Sequence, residues 1–288
     1  MRAVILGGKN LAVGCLEVIL RHGLEVAAII PNGDDDGSEE GKWYKSLKKS
    51  ALEKGLPVFQ PRTISSPRGL TFIEEMAPDL IFSFSYNRIL KGCILERARV
   101  WPLNIHFSRL PHYRGCLSIV YAMANSDPQV GVTLHVMDEG IDTGDIISQV
   151  LVDVGVEDTA YSVYFKCVQA GIHLMNQTLP KLLNHTCQAQ PQELAAGSYH
   201  SWDYPNDRWL SPDMSPDELS CFVRAHTFLS FPTARAVLRG QEHDVIFRNS
   251  GFSVPGLNEE IMNANELSNF LAANGFGCAD SIRASSVG

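Results

Sequence analysis

The chain has 288 residues, which is enough for one large domain and a smaller addition. Hydrophobic residues make up 45% and charged residues 19%, so the sequence is too apolar for a disordered chain. The formal net charge of −8 argues against nonspecific binding to nucleic acid, because phosphate backbones favour an excess of Lys and Arg.

The lengths of the apolar runs and the positions of the cysteines indicate the compartment and whether a metal is bound. No apolar run reaches the length of about 20 residues that a membrane helix needs, so we expect no membrane partner. The seven cysteines are scattered and form no CxxC pair, which fits a reducing compartment and argues against a disulfide framework or a zinc site. The sequence therefore predicts a cytoplasmic protein without a bound metal.

Short apolar runs alternate with helical patterns along the first 190 residues, as is typical of a parallel α/β sheet. Strands are predicted at 3–6, 25–30, 57–59, 80–84, 103–107 and 130–137. Helices are predicted at 11–22, 71–76 and 160–183, and a further helix is predicted to end near residue 55. The pattern predicts a Rossmann-like domain over residues 1–190.

The composition changes after residue 190. Residues 188–197 read as a linker, and a helix follows at 215–226, where Ser215 and Glu218 can form a capping box. Strands are predicted at 234–238 and 244–247. These elements indicate a small α+β subdomain over 198–255, followed by a tail, 256–288, with one helix and a Ser/Ala-rich end that we expect to fray.

The glycines after the first strand do not predict a dinucleotide site. Gly7, Gly8 and Gly14 do not form the GxGxxG fingerprint, and the second strand ends in Pro31 and Asn32 where an acidic residue would be needed. We interpret them as a tight turn between a strand and a helix.

Three polar side chains are candidates for chemistry. Asn104 and His106 alternate at the end of an apolar strand and so share a face, and Asp142 lies in a glycine-bearing loop after another strand. An amide can donate to an oxyanion, a histidine can move a proton near neutral pH, and an adjacent carboxylate favours the charged histidine. Each residue could equally be structural, since strand ends and Asp-Thr-Gly turns often satisfy backbone groups.

Three stretches occur in a fixed order: APDLIFSF at 77–84, NIHFSRLPHYRG at 104–115 and GVTLHVMDEGIDTG at 131–144. In order and spacing they resemble the folate-dependent formyltransferase family, which includes methionyl-tRNA, glycinamide ribonucleotide and sugar-nucleotide N-formyltransferases. A looser similarity runs from residue 1 to about 250. The resemblance implies a Rossmann-like formyltransferase domain that uses 10-formyltetrahydrofolate as its co-substrate.

The resemblance also implies roles for the residues. Asn104 would stabilise the oxyanion, His106 would be the general acid and base, and Asp142 would support His106. The folate pocket would be formed by two segments. Its residues would be Arg88, Ile89, Leu90, Asp138, Glu139, Gly140, Ile141 and Asp142. Backbone groups can bind the edge of a pterin while apolar side chains cover its faces; Arg88 could also be an ordinary solvated arginine.

The loop after the catalytic strand is expected to contact the acceptor through Pro111, Tyr113 and Arg114, although Pro and Gly also make it a rigid turn. Cys116 departs from the family pattern and is interpreted as a packing residue. His135, alone on a buried strand, is interpreted as structural.

The closest resemblance is to the amino-sugar nucleotide N-formyltransferases, carried by FSFSYNRIL at 82–90, CFVRA at 221–225 and FPTA at 231–234, where Thr233 replaces a family glycine. The acceptor is therefore expected to be a small nucleotide-linked amine and not a nucleic acid. Aromatic residues follow the linker and could either stack on a base or form a core. They are Tyr199, Trp202, Tyr204 and Trp209.

Other functions remain open at this stage. The acceptor could be a siderophore-type hydroxylamine or methionyl-tRNA, or water, as in a formyltetrahydrofolate hydrolase. A hydrolase is expected to carry an additional N-terminal regulatory domain, whereas here the first strand begins within residues 1–6. A folate-binding regulatory protein is the non-enzymatic alternative, and a homodimer is open as its assembly.

Overall fold

The computed structural model describes residues 1–229, 231–257 and 260–279. The strands of this part are β1 (Arg2–Gly7), β2 (Glu25–Pro31), β3 (Leu80–Phe84), β4 (Trp101–His106), β5 (Arg114–Gly115), β6 (Gln129–Val136), β7 (Ile146–Asp153), β8 (Tyr199–His200), β9 (Ala234–Leu238), β10 (Gln241–Arg248), β11 (Gly251–Ser253), β12 (Glu260–Ile261) and β13 (Phe276–Gly277). The helices are α1 (Lys9–Arg21), α2 (Leu47–Glu53), α3 (Pro67–Met76), α4 (Gly92–Leu95), α5 (Ser118–Ala124), α6 (Ala160–Leu183), α7 (Pro216–Ala225) and α8 (Ala264–Ala273).

By internal packing the chain forms two compact units. The first consists of Met1–Arg114, Gly131–Leu151 and Cys167–Ser198, and the second of Gly115–Val130, Val152–Lys166 and the described residues from Tyr199 onward. The division into 1–190, 198–255 and 256–288 stays a prediction. Within the predicted tail, the helix is present as α8, and the end expected to fray, 280–288, lies outside the described residues.

A six-stranded sheet organises the first unit, in the order β2-β1-β3-β4-β6-β7. Strands β2, β1, β3 and β4 run parallel, and β6 runs antiparallel to β4. Apart from Ser83, the buried side chains of β1 and β3 are apolar, as expected for strands covered on both sides. The predicted α/β class with a mainly parallel sheet is confirmed.

The strand order reverses between β1 and β3, and the carboxyl ends of β1, β3 and β4 lie at one edge of the sheet. Such a switch point leaves a crevice outside the strand ends, where ligands bind in open α/β sheets. The Gly7–Gly8 turn lies there, and a Cβ on Gly7 would come within 2.0 Å of the Phe84 carbonyl oxygen. The close approach of β3 therefore requires a glycine at position 7, in agreement with the interpretation of these glycines as a tight turn.

In the first unit, one predicted strand is not formed and one observed strand has no counterpart among the predictions. Residues 57–59 make only an isolated bridge, between Val58 and Ile29, at the outer edge of the sheet. Strand β7 was not predicted, because most of its side chains are half-buried and give no alternation of apolar and polar residues.

The second unit contains the five-stranded sheet β12-β11-β10-β9-β13, and each of its pairings is antiparallel. Helix α7 begins with the predicted capping box, in which the Ser215 side chain and the Glu218 side chain each bond the other residue's backbone. An antiparallel sheet packed with helices α7 and α8 around one apolar cluster confirms the α+β character predicted for the C-terminal part, while the predicted bounds, which assign α8 to the tail, stay a prediction.

Among the helices of the described residues, none combines the length and the apolar character needed to cross a membrane.

Candidate active site

Strand alternation places the two catalytic candidates of β4 on one face and its apolar side chains on the other. Leu103 and Ile105 are buried on one face, and Asn104 and His106 are half-buried on the other. On the apolar side, helix α6 packs close to the sheet at Gly171, where a Cβ would lie 3.5 Å from Ile105 Cγ2. The apolar face of β4 therefore packs against the core, and its polar side chains project from the other face of the sheet.

Asp142 joins these two residues from the loop between β6 and β7. Its Oδ2 lies 3.5 Å from Nδ1 of His106, and its Oδ1 lies 3.4 Å from Nδ2 of Asn104. The side chains of His106 and Asp142 are 10% and 12% exposed. The structure thus brings together the three residues that the sequence singled out.

The sequence of this loop explains how Asp142 reaches the strand. Asp142 adopts a left-handed conformation with φ 55, which is uncommon for a residue other than glycine. The Asp138 side chain closes the turn by accepting from the Gly140 amide and the Thr143 hydroxyl. At Gly144 a Cβ would lie 2.0 Å from the Val136 carbonyl oxygen, so only glycine permits the chain to return beside β6.

Gln192 fixes the same loop from the segment 188–197, which the composition suggested was a linker. Its Nε2 donates to the carbonyl oxygens of Asp142 (3.0 Å) and Gly144 (2.6 Å). Nearby, the backbone of Gln190 exchanges two hydrogen bonds with that of Ile146 on β7. The segment is therefore bonded to the sheet edge and supports the site, a role that its polar composition did not reveal.

The second ring nitrogen of His106 is occupied by the backbone. Nε2 lies 2.9 Å from the carbonyl oxygen of Tyr113, which can only accept, so Nε2 carries the proton. Tyr113 is itself left-handed with φ 55, and its amide donates to the Ser198 hydroxyl at 2.8 Å. In the neutral ring, Nδ1 is therefore the basic nitrogen, and it faces Asp142.

His135 belongs to this cluster, although the sequence interpretation set it aside as structural. It lies directly across from Asn104 in the β4–β6 pairing and is 1% exposed. Its Nε2 lies 3.1 Å from Nδ2 of Asn104 and 3.4 Å from Oδ1 of Asp142. Only the register between two antiparallel strands places it there, and no spacing within the sequence gives that register.

The predicted acceptor loop is tied to the same support. The Leu110–Pro111 peptide is cis, and the Pro111 carbonyl accepts from the Ser198 amide. The Arg114 amide donates to the Ser198 carbonyl. Pro111, Tyr113 and Arg114 are therefore positioned by backbone contacts to one serine next to His106.

The two segments predicted to bind folate are neighbours. A Cβ on Gly92, just after the first segment, would lie 2.5 Å from Oε1 of Glu139 in the second. Ile89 is 72% exposed and Ile141 is 37% exposed, whereas Leu90 is buried in the apolar core. Arg88 donates to the Arg62 carbonyl at 2.6 Å, so its guanidinium already has one backbone partner.

The aromatic residues of the second unit divide into two kinds. Trp209 is buried, and the Arg235 guanidinium lies 4.0 Å from its ring centre, so Trp209 serves packing. Tyr204 is half-buried, and its burial raises the pKa of its hydroxyl. Tyr199 and Trp202 are exposed. Of the four aromatic residues named in the sequence analysis, Tyr199 and Trp202 are therefore the exposed ones.

A metal site was not predicted. Within residues 1–229, 231–257 and 260–279, no group of three or more His, Cys, Asp or Glu side chains could hold a metal ion.

The chain is similar to known proteins along most of its length. A family model described as formyl transferase matches residues 1–179. The chain is 31% identical over 227 residues to the bifunctional polymyxin resistance protein ArnA of Wigglesworthia glossinidia brevipalpis, covering 79% of this chain and 35% of that protein. It is 32% identical over 200 residues to the methionyl-tRNA formyltransferase of Alkaliphilus oremlandii, covering 69% of this chain and 64% of that one.

Among solved structures, the N-formyltransferase of Helicobacter canadensis, in complex with folinic acid and dTDP-3-aminofucose, superposes with a TM-score of 0.65. It is 27% identical, and the match covers 90% of this chain and 97% of that chain. The chain thus spans about a third and about two thirds of the two curated relatives, and nearly the whole of this structural one.

The contacts of Gln192 predict a local effect on the Asp142 loop. Replacing Gln192 by Ala removes both donors to the loop carbonyls, so we expect faster amide hydrogen exchange at residues 142–145 with little change in the melting temperature. Gln190→Ala, an exposed neighbour in the same segment, is the matched control and should leave exchange in the loop unchanged. Equal exchange in the two variants would show that Gln192 does not hold the loop.

Proposed function

The chain belongs to the formyl transferase family, and we propose that it transfers a formyl group from 10-formyltetrahydrofolate to the primary amine of an amino-sugar nucleotide. The observation that carries the proposal is the convergence of Asn104, His106 and Asp142 at the sheet edge, within the 1–179 region that the family model matches. An amide donor, an imidazole and a carboxylate are the groups that acyl transfer to an amine needs.

Asn104 is the candidate for stabilising negative charge. When an amine attacks the formyl carbon, the carbonyl oxygen becomes an oxyanion, and a fixed amide N–H lowers the energy of that charge. Nδ2 of Asn104 is already next to Asp142, so its donor is aimed at the same small region as His106.

His106 moves the proton. Because its Nε2–H is committed to the Tyr113 carbonyl, it accepts the proton of the attacking amine at Nδ1, on the side of Asp142. The Asp142 carboxylate then stabilises the imidazolium, since an opposite charge at that distance favours the charged ring. The same nitrogen afterwards returns the proton to the nitrogen that leaves the formyl carbon, so no proton has to be exchanged with solvent.

The folate co-substrate fits the two neighbouring loops. Ile89 and Ile141 are exposed apolar side chains of these two loops. They suit the faces of a flat ring, while the backbone around Asp138 and Gly140 can bind its edge. The contacts of Arg88, Leu90 and Glu139 belong to the same proposal, with Leu90 acting from the core.

An amino-sugar nucleotide is favoured as the acceptor by two features. The Helicobacter canadensis relative was solved with dTDP-3-aminofucose, and the net charge of this chain is −8. Pro111, Tyr113 and Arg114 would contact the sugar amine beside His106. Methionyl-tRNA is the second candidate, because the Alkaliphilus oremlandii relative is 32% identical, but an acidic chain is poorly suited to a polyanion.

The proposed roles of the histidine and the carboxylate predict the effect of their removal. His106→Ala and Asp142→Ala should each reduce formyl transfer at least about 100-fold, the scale of lost general acid–base catalysis. Steady-state kinetics on both variants test this, with unchanged circular dichroism as the check on folding. His173→Ala, an exposed histidine on α6 in the same unit, should keep wild-type turnover. Near-normal rates in His106→Ala or Asp142→Ala would remove that residue from the mechanism.

The proposed acceptor predicts which small molecules stabilise the protein. A ligand that binds only the native state raises stability by RT ln(1 + [L]/Kd), so a nucleoside diphosphate should raise the melting temperature. A melting screen with UDP, dTDP, GDP and CMP alongside tRNA measures this. The proposal for a nucleotide-linked acceptor fails if no nucleotide shifts the melting temperature and tRNA gives a salt-sensitive shift.

A further inference from the structure

The protonation of His135 is determined by its backbone contact. Its Nδ1 lies 2.8 Å from the carbonyl oxygen of Val136, and a carbonyl only accepts, so Nδ1 carries the proton. In the neutral ring, Nε2 then holds a lone pair. The Asp142 carboxylate, whose Oδ1 lies 3.4 Å from Nε2, can only accept, so the donor to this lone pair has to come from Asn104. The atom of Asn104 that lies 3.1 Å from it is therefore the amide nitrogen, Nδ2.

This contact decides which way round the Asn104 amide lies. If the amide were flipped, Oδ1 would occupy the present position of Nδ2. It would then face the Nε2 lone pair of His135 at 3.1 Å and the Asp142 carboxylate at 3.4 Å. Both contacts would then bring two acceptors together. The observed orientation satisfies His135 with one N–H and leaves the second N–H on the side of Asp142, where 3.4 Å is longer than a strong hydrogen bond.

The position of His135 in the sheet makes this support rigid. It is the cross-strand partner of Asn104, so the two side chains project from the same face of neighbouring strands. Its side chain is 2% exposed, and water therefore does not replace Asn104 as its partner. Leu134 and Ile105 form the next pair, on the opposite, apolar face, which is also buried.

We propose that His135 is a positioning residue, which acts through Asn104 and does not touch the substrates. It holds the Asn104 amide so that an N–H, and not the carbonyl oxygen, is presented to the oxyanion that develops on the formyl group. The inference rests on the proposed formyl transfer, and it assigns a task to a residue outside the Asn104–His106–Asp142 set.

Three variants separate positioning from packing. His135→Leu removes the acceptor and fills the buried position with an apolar side chain. His135→Gln restores an acceptor oxygen within reach of Asn104. Leu134→Val is the matched control, because it alters the core on the adjacent position of the same strand without touching the polar cluster. For each variant, kcat, the KM values for both substrates and the melting temperature are measured.

We expect His135→Leu to lower kcat about 10-fold, on the scale of one lost hydrogen bond, with both KM values changed by less than about twofold. His135→Gln should recover most of kcat, and Leu134→Val should lower only the melting temperature. Because His135 acts through Asn104, the double variant His135→Leu/Asn104→Ala should be no slower than Asn104→Ala alone. Additive losses in the double variant, or equal losses in the Leu and Gln variants, overturn the proposal.

A spectroscopic readout tests the geometry independently of activity. In two-bond ¹H–¹⁵N spectra of the labelled protein, the His135 resonances, identified by their absence in His135→Gln, should show the tautomer protonated at Nδ1. The Nε2–H tautomer would contradict the inference even if every variant were inactive or poorly folded. Absence of formyl transfer to any amine by the wild-type protein, with the Nδ1–H tautomer observed, would instead reject the proposed function and leave the orientation of Asn104 standing.

Discussion

The Asp142 carboxylate is the contact on which the candidate site depends. One of its oxygens faces Nδ1 of His106 and the other faces both Asn104 and His135, so a single side chain joins two strands of the sheet and the loop that follows them. A carboxylate that is only 12% exposed needs such partners, because an unpaired buried charge is strongly unfavourable. Among the contacts described above, the Asn104 amide, 3.4 Å from Oδ1, is the donor beside it.

Two residues with a left-handed backbone belong to the segments around the same carboxylate. Asp142 and Tyr113 both adopt left-handed conformations, and each costs on the order of 1–3 kcal/mol for a residue other than glycine. Gln192 and Ser198 oppose this cost with hydrogen bonds to the backbone of the two strained segments. The strained backbone in turn aims the Tyr113 carbonyl and the Asp142 side chain at opposite nitrogens of His106, which fixes its tautomer.

The sequence predicted the local parts of this arrangement and missed the non-local ones. Strand alternation placed Asn104 and His106 on one face, and the resemblance of residues 77–144 to formyltransferases is confirmed by the family match. His135 and Gln192 were missed because their contacts come from strand register and from a segment about 50 residues beyond the loop it holds. Strand β7 escaped because an edge strand with half-buried side chains has no periodic pattern.

The central claim is tested most directly by a competition between two acceptors. The protein is incubated with 10-formyltetrahydrofolate, an amino-sugar nucleotide and methionyl-tRNA in one vessel, and the products are identified by mass spectrometry. The account predicts a formylated sugar nucleotide, dependent on the folate and on His106, with methionyl-tRNA unchanged. Formylated methionyl-tRNA beside an unmodified sugar nucleotide would contradict it.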